Sequence, residues 1–237
     1  MKMILNEYEI LRRLAEQDPK KRLVIKPIIN KEQFGPGSFD IRLGTDFKLH
    51  KSSKFSHINA LLPKEKLKPR VREITEEIHI HPPPECFFLH PREFVLACSL
   101  EFIRLPNDLA GKLHGRSSLG RLGLSIHSTA GYIDPGFSGN ITFELINESR
   151  VPIPLYSGLR IAQIVFYELK YPSQKPYGGK YQGSIGTASS KFFEDSEFEV
   201  IKNMSKDIKI EEFQEFLENF EKTEKRKIIQ RLLQMDK

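Results

Sequence analysis

The sequence predicts a mainly β domain, a barrel or sandwich, with a short helix at its N-terminus and a helical extension at its C-terminus. Three observations lead there. Between residues 74 and 169 the apolar residues fall in short runs (86–90, 94–105, 125–127, 140–147 and 161–169) separated by turn residues, too short and too frequent for helices. A chain of 237 residues that is 39% hydrophobic and 10% aromatic can bury the core of one large domain, or of one domain plus an appendage, which excludes wholesale disorder. Only toward the end do apolar residues take helical spacing, with Phe213, Phe216, Leu217 and Phe220 and then Ile228, Ile229, Leu232 and Leu233.

Taken in order, Asn6-Glu7-Tyr8-Glu9 reads as a capping box that opens a helix with Ile10, Leu11 and Leu14 on its inner face. The stretch Gly35-Pro36-Gly37-Ser38 then leads into a strand over 39–49, where Phe39, Ile41 and Leu43 alternate with Asp40 and Arg42. Residues 63–73 are dense in charge and punctuated by proline, the pattern of an exposed loop. After the β region, residues 171–190 are rich in Gly, Ser and Pro and read as a flexible arm. The expected organisation is a β domain over 1–170, the arm over 171–190 and a charged, largely helical extension over 191–237.

The net charge of +6 divides unevenly, into +8 on residues 1–190 and −2 on the extension. A basic body suits an anionic ligand such as a nucleotide or phosphate, and equally a solvated lysine-rich surface. No apolar run is long enough for a membrane span, and the N-terminus meets acid too early for a signal peptide, so a cytoplasmic protein with no membrane partner is expected. Cys86 and Cys98 suit neither a disulfide framework nor a Cys-x-x-Cys zinc site. Zinc nucleobase deaminases need a His-x-Glu and a later Pro-Cys-x-x-Cys, and the chain has neither. A stripe of interleaved aromatic and basic residues is also missing, so no nucleic-acid partner is expected.

The densest chemistry lies in Gly115-Arg116-Ser117-Ser118-Leu119-Gly120-Arg121, where two arginines bracket two hydroxyls among glycines that let backbone N–H groups approach an anion. That pattern fits a phosphate cradle and also ordinary turn chemistry. On the run 140–145, Ile141, Phe143 and Leu145 share one face, which turns Glu144 outward with Asn140 and Thr142. Asp134 in Ile-Asp-Pro-Gly is by pattern a turn residue.

Four segments together, Gly-Ser-Phe-Asp-Ile-Arg-Leu-Gly at 37–44, Gly-Arg-Ser-Ser-Leu-Gly-Arg-Leu-Gly-Leu at 115–124, His-Ser-Thr-Ala-Gly-Tyr-Ile-Asp-Pro-Gly-Phe-Ser-Gly at 127–139 and Ile-Thr-Phe-Glu-Leu at 141–145, resemble the dCTP deaminases of the trimeric dUTPase superfamily. The resemblance implies a distorted jelly-roll β-barrel of the dUTPase-like type and a homotrimer with active sites shared between subunits. It places a general base at Glu144, with Arg121 and Ser117 holding the attacking water and the developing charge. Arg116 and Ser118 match triphosphate contacts, Asp134 the residue at the deoxyribose 3′-hydroxyl, and Phe137 a ring beneath the sugar. The backbone of His127, Thr129, Ala130 and Gly131 falls where the base edge is read. In the arm, Tyr177 and Lys180 match phosphate contacts, and Ser184 stands where a glutamine is common.

Within this resemblance some members stop at dUTP and others release dUMP and pyrophosphate. Gly131 after Thr129-Ala130 resembles the second kind, since glycine leaves space for a water near Asp134 and the α-phosphate. The expected ligands are dCTP, then dUTP, with Mg²⁺ bound through the triphosphate and no zinc. Three alternatives stand beside this reading: a deaminase that releases dUTP only, a plain dUTPase, and a non-catalytic nucleotide-binding module. The presence of Glu144 speaks against the plain dUTPase.

Overall fold

The computed structural model describes residues 3–59, 62, 64–127, 129, 131–195, 215, 218, 219, 221–227 and 230. The chain opens with β1 (Met3–Ile4), α1 (Glu7–Leu14), β2 (Val24–Lys26), β3 (Phe34–Gly35) and the long β4 (Ser38–His50). Then come α2 (Lys64–Glu73), β5 (Thr75–His79), β6 (Phe87–Leu89), β7 (Phe94–Arg104), β8 (Leu109–Gly115) and the one-turn α3 (Ser117–Gly120). The barrel finishes with β9 (Leu124–Ser125), β10 (Tyr132–Ile133), β11 (Ser138–Asn147), β12 (Ile153–Leu155) and β13 (Arg160–Glu168).

The architecture is mainly β, as expected: a curled antiparallel sheet of order β10-β8-β13-β4-β7-β11-β9, beside a separate β6–β12 ribbon. Strand β4 serves both halves. Its first part, Phe39 to Arg42, pairs with β13, and from Leu43 to Leu49 it pairs with β7. Shifts of register at Arg160/Ala162 and Leu43/Phe47 bend the strands so that the sheet can wrap around its core. Phe39, Phe47, Phe143 and Phe166 are fully buried there, and Phe47 stacks on Phe87 with ring centroids 4.9 Å apart.

Helix α1 starts as expected, with the Asn6 side chain accepting from the Glu9 backbone N–H at 2.9 Å. The reciprocal half of the capping box does not form, because the Glu9 carboxylate accepts from the Arg12 guanidinium instead. The inner face also differs from the expected one. Ile10 is buried and Leu14 packs on the core, but Leu11 is exposed, and the third inner position is Arg13, 4% exposed. A guanidinium can sit there because it donates to Asp108 at 2.7 Å, to Glu168 at 2.8 Å and to the Lys21 carbonyl at 3.2 Å. Replacing Arg13 with alanine leaves two carboxylates facing each other unpaired, so Arg13→Ala is expected to lower unfolding free energy by about 3–5 kcal/mol, read by urea denaturation. A loss under about 1 kcal/mol would show that the cluster is only a surface ion pair.

Of the loop expected over 63–73, residues 64–73 form helix α2, and residue 63 lies outside the described residues. Leu67 and Val71, one helical turn apart, are both buried, and the charges around them face outward. Pro69 lies inside this helix and has no N–H to donate along it. Strand β8 breaks the apolar pattern with Gly111, Lys112, His114 and Gly115. Gly111 is needed because a Cβ there would lie 3.2 Å from both Ile133 and Ile164, the side chains of the two strands that flank β8.

In the extension, residues 215, 218, 219, 221–227 and 230 are helical. The eight apolar positions from Phe213 to Leu233 that predicted that helix lie outside the described residues. No helix among the described residues is long and apolar enough to cross a membrane.

Candidate active site

Strand β11 alternates as the sequence predicts, with Ile141, Phe143 and Leu145 in the core and Asn140, Thr142 and Glu144 on the other face. That other face is not open surface. It forms the wall of a cleft of about 530 Å³, whose lining also includes His127, Asp134, Phe137, Tyr177 and Ser184. Six residues expected at the site from widely separated segments therefore meet in one hollow.

The Glu144 carboxylate is partly sheltered, 26% exposed, with His127 Nδ1 3.6 Å from its Oε2. That separation is too long for a hydrogen bond, and the buried Nδ1 has no other partner among the described residues. Position 144 is held by the pairing of β11 with β7 and by its N–H donating to the Ile126 carbonyl at 3.1 Å. Asp134 begins the turn that closes with the Phe137 N–H donating to the Asp134 carbonyl at 3.1 Å. Gly136 in this turn has φ +86°, a region that favours glycine.

The arm lies on this turn. Tyr177 N–H donates to the Pro135 carbonyl at 2.8 Å, and its ring sits 5.9 Å from that of Phe137. Gln182, which sequence reasoning passed over, clamps the same turn: its amide donates to the Gly136 carbonyl at 2.9 Å and accepts from the Ser138 N–H at 3.0 Å. Ser184 lines the cleft, but its hydroxyl donates to the Tyr181 carbonyl at 2.8 Å while its own carbonyl accepts from Asn140 N–H. Beyond it, Gly186 and Ala188 N–H groups donate to the side chains of Asn140 and Thr142, so the arm walls one side of the hollow. Lys180 lines neither cleft and pairs with Asp195 at 2.6 Å.

Gly131 sits where a Cβ would meet the Leu113 carbonyl oxygen at 3.1 Å and the His127 ring at 3.7 Å. Its close approach to β8, whose Leu113 N–H donates to the Gly131 carbonyl at 2.7 Å, is therefore a reason for glycine in addition to any bound water. Thr129 is exposed in a bend, and Ala130 lies outside the described residues.

The arginine- and serine-rich segment goes elsewhere. Arg116, Ser117 and Ser118 line a second cleft of about 450 Å³ with Asp40, Arg160 and Gln163. Arg121, at the end of α3, is exposed and lines neither cleft. One chain thus keeps the expected base, Glu144, apart from its expected helpers Arg121 and Ser117. Arg160 and Gln163 were missed in the sequence because Arg-Ile-Ala-Gln-Ile-Val-Phe reads as a strand; the polar residues interrupting an apolar run were the available signal. Among the described residues, no group of three or more His, Cys, Asp or Glu is placed to hold a metal ion.

The fold and site thus define a mainly β protein whose curled antiparallel sheet carries a carboxylate-lined cleft and a separate arginine- and serine-lined one. Comparison narrows this: the family model described as dCTP deaminase-like matches residues 4–169. The chain is a member of the dCTP deaminase-like family. It is 43% identical over 198 residues to a dCTP deaminase, dUMP-forming, of Methanosphaera stadtmanae, covering 79% of this chain and 96% of that protein. A protein of the same description from Corynebacterium jeikeium is 45% identical over 163 residues, 67% of this chain and 82% of its own. Among solved structures, the 2′-deoxycytidine 5′-triphosphate deaminase of Agrobacterium tumefaciens superposes with a TM-score of 0.54 at 21% identity, over 70% of this chain and 48% of that one, a likeness of fold.

Proposed function

We propose that the protein deaminates dCTP at cytosine C4 and carries the product on to dUMP and pyrophosphate, as a cytoplasmic homotrimer with sites shared between subunits. The observation that carries this is the position of Glu144, sheltered in a cleft beside Asp134 and Phe137, in a chain whose relatives are described as dUMP-forming dCTP deaminases. Water adds to C4 as Glu144 takes one of its protons; that proton passes to the exocyclic amine, the remaining hydroxyl proton moves to N3, and the C4–N bond breaks to give dUTP and ammonia. A second water then divides dUTP into dUMP and pyrophosphate.

In this reading the Phe137 ring supports the sugar, and Asp134 accepts from the 3′-hydroxyl and orients the second water. Backbone groups of residues 127–131 read the base. The triphosphate lies on Arg116 and Ser118, with Tyr177, Lys180 and Ser184 of the arm closing over it. Arg121 and Ser117 come from the neighbouring subunit, which accounts for two clefts where one site is needed. Mg²⁺ arrives on the nucleotide, with phosphate oxygens as ligands, and offsets their charge.

Supplied with dCTP and Mg²⁺, the protein should yield ammonia, dUMP and pyrophosphate in equal amounts with little free dUTP. Accumulation of dUTP equal to ammonia, with no pyrophosphate, would leave a simple deaminase. Gly131→His, which fills the space beside Asp134, is expected to retain more ammonia release than pyrophosphate release. Equal loss of both products by a folded Gly131→His protein would remove Gly131 from the second step.

A further inference from the structure

We propose that Asp40 is a positioning residue which holds Arg116 and Arg160 as a paired clamp for the triphosphate, and that Arg160 is a phosphate-contacting cation beside Arg116. This rests on the proposed nucleotide reading and adds two residues to it. One oxygen, Asp40 Oδ2, lies 3.4 Å from Arg116 Nε and 3.2 Å from Arg160 Nη1. The carboxylate is 12% exposed, whereas the two guanidiniums are 31% and 30% exposed at the cleft. Arg160 Nη1 also donates to the Glu32 carbonyl at 2.6 Å, and Arg116 Nη1 donates to the Arg160 carbonyl at 3.3 Å. The other N–H groups, on Arg116 Nη2 and on Arg160 Nε and Nη2, have no protein partner among the described residues. They are the donors that an anion in the cleft would take up.

Asp40 is itself fixed from behind. It sits near the start of β4 opposite Gln163, and its carbonyl accepts from the side-chain amide of fully buried Gln33 at 3.0 Å. That amide also donates to fully buried Glu101 at 2.8 Å, and the other Glu101 oxygen accepts from the Arg42 N–H at 2.8 Å. The backbone that carries the cleft carboxylate is thus held by a network that starts in the core.

The sign of one substitution decides its role. A negative charge in an anion cleft repels the ligand, so by charge alone its removal tightens binding. If Asp40 instead keeps two mutually repelling guanidiniums in place, its removal lets them splay and weakens binding. Inorganic tripolyphosphate without Mg²⁺, titrated calorimetrically into the full chain, reads this without requiring turnover. Expected results are weakening of about tenfold for Arg160→Gln, less for Arg160→Lys, and about fivefold for Asp40→Asn. With dCTP, KM should rise more than kcat falls.

Unchanged or tighter tripolyphosphate binding by Asp40→Asn, or unchanged binding by Arg160→Gln, would overturn the proposal, as would a wild-type protein that does not bind tripolyphosphate. So would an Asp40→Asn protein whose sole change is a higher Mg²⁺ requirement, since the carboxylate would then serve the cation. If Asp40→Asn fails to fold, Asp40→Glu takes its place, and the longer side chain should also weaken binding. Intact tripolyphosphate responses without ammonia from dCTP would refute the deaminase reading and leave the clamp; normal ammonia release with no effect of these substitutions on either ligand would do the reverse.

Discussion

Glu144→Gln is expected to reduce ammonia release from dCTP by about 10²- to 10⁴-fold while dCTP still binds. The amide keeps the length and shape of the side chain on β11, and its neighbours Phe143 and Leu145 stay in the core, so the barrel has no reason to change. What is lost is the lone pair that takes the proton from water. The measurement is a single-turnover assay for ammonia paired with equilibrium binding of dCTP. Near-normal ammonia release would remove Glu144 from the reaction, and loss of binding together with rate would make it a ligand contact rather than a base.

The second large effect is a restoration. Glu144→Gln and Arg121→Ala proteins should each be inactive, and mixing them after subunit dissociation and reassembly should bring activity back. In a cyclic trimer whose sites join Glu144 of one subunit to Arg121 of the next, an equal random mixture contains about one quarter intact sites. Recovery near that level is expected by the same ammonia assay. The basis is geometric: Glu144 lines one cleft, Ser117 lines the other, and Arg121 lies outside both. No recovery despite demonstrated subunit exchange, or a monomer by light scattering, would require a site complete within one chain.

Local signals were legible where one cause decides the conformation. The alternation of β11, the Asp134–Pro135–Gly136 turn and the Asn6 cap each follow from a few neighbouring residues, and the structure shows all three. Where two causes compete, tertiary contacts decided. Pro69 and the surrounding lysines argued for a loop, whereas burial of Leu67 and Val71 makes a helix. Leu11 had the right spacing for the inner face of α1, but Arg13 takes that place because its carboxylate partners come from residues 108 and 168. No window of sequence contains that information.

The candidate site divides in the same way. The motif segments were recognisable, and the structure gathers Glu144, His127, Asp134, Phe137, Tyr177 and Ser184 around one cleft. Its separation from Arg116, Ser117 and Ser118 depends on how the barrel curls, which motif spacing does not record. Asp40, Arg160 and Gln182 were passed over for a related reason. Their roles come from partners more than 40 residues away, as in the pairing of Asp40 with Arg160 across 120 positions.

The most direct test of a protein that both deaminates dCTP and cleaves its triphosphate is one turnover in water enriched with ¹⁸O, followed by mass spectrometry of the nucleotide. Both steps use water, so the expected product is dUMP carrying one ¹⁸O on the base, at the former amine position, and a second on its phosphate, with ammonia and pyrophosphate released in step. Product with ¹⁸O on the base but an intact triphosphate would contradict the second step, and unlabelled base with no ammonia would contradict deamination and the role of Glu144 in it.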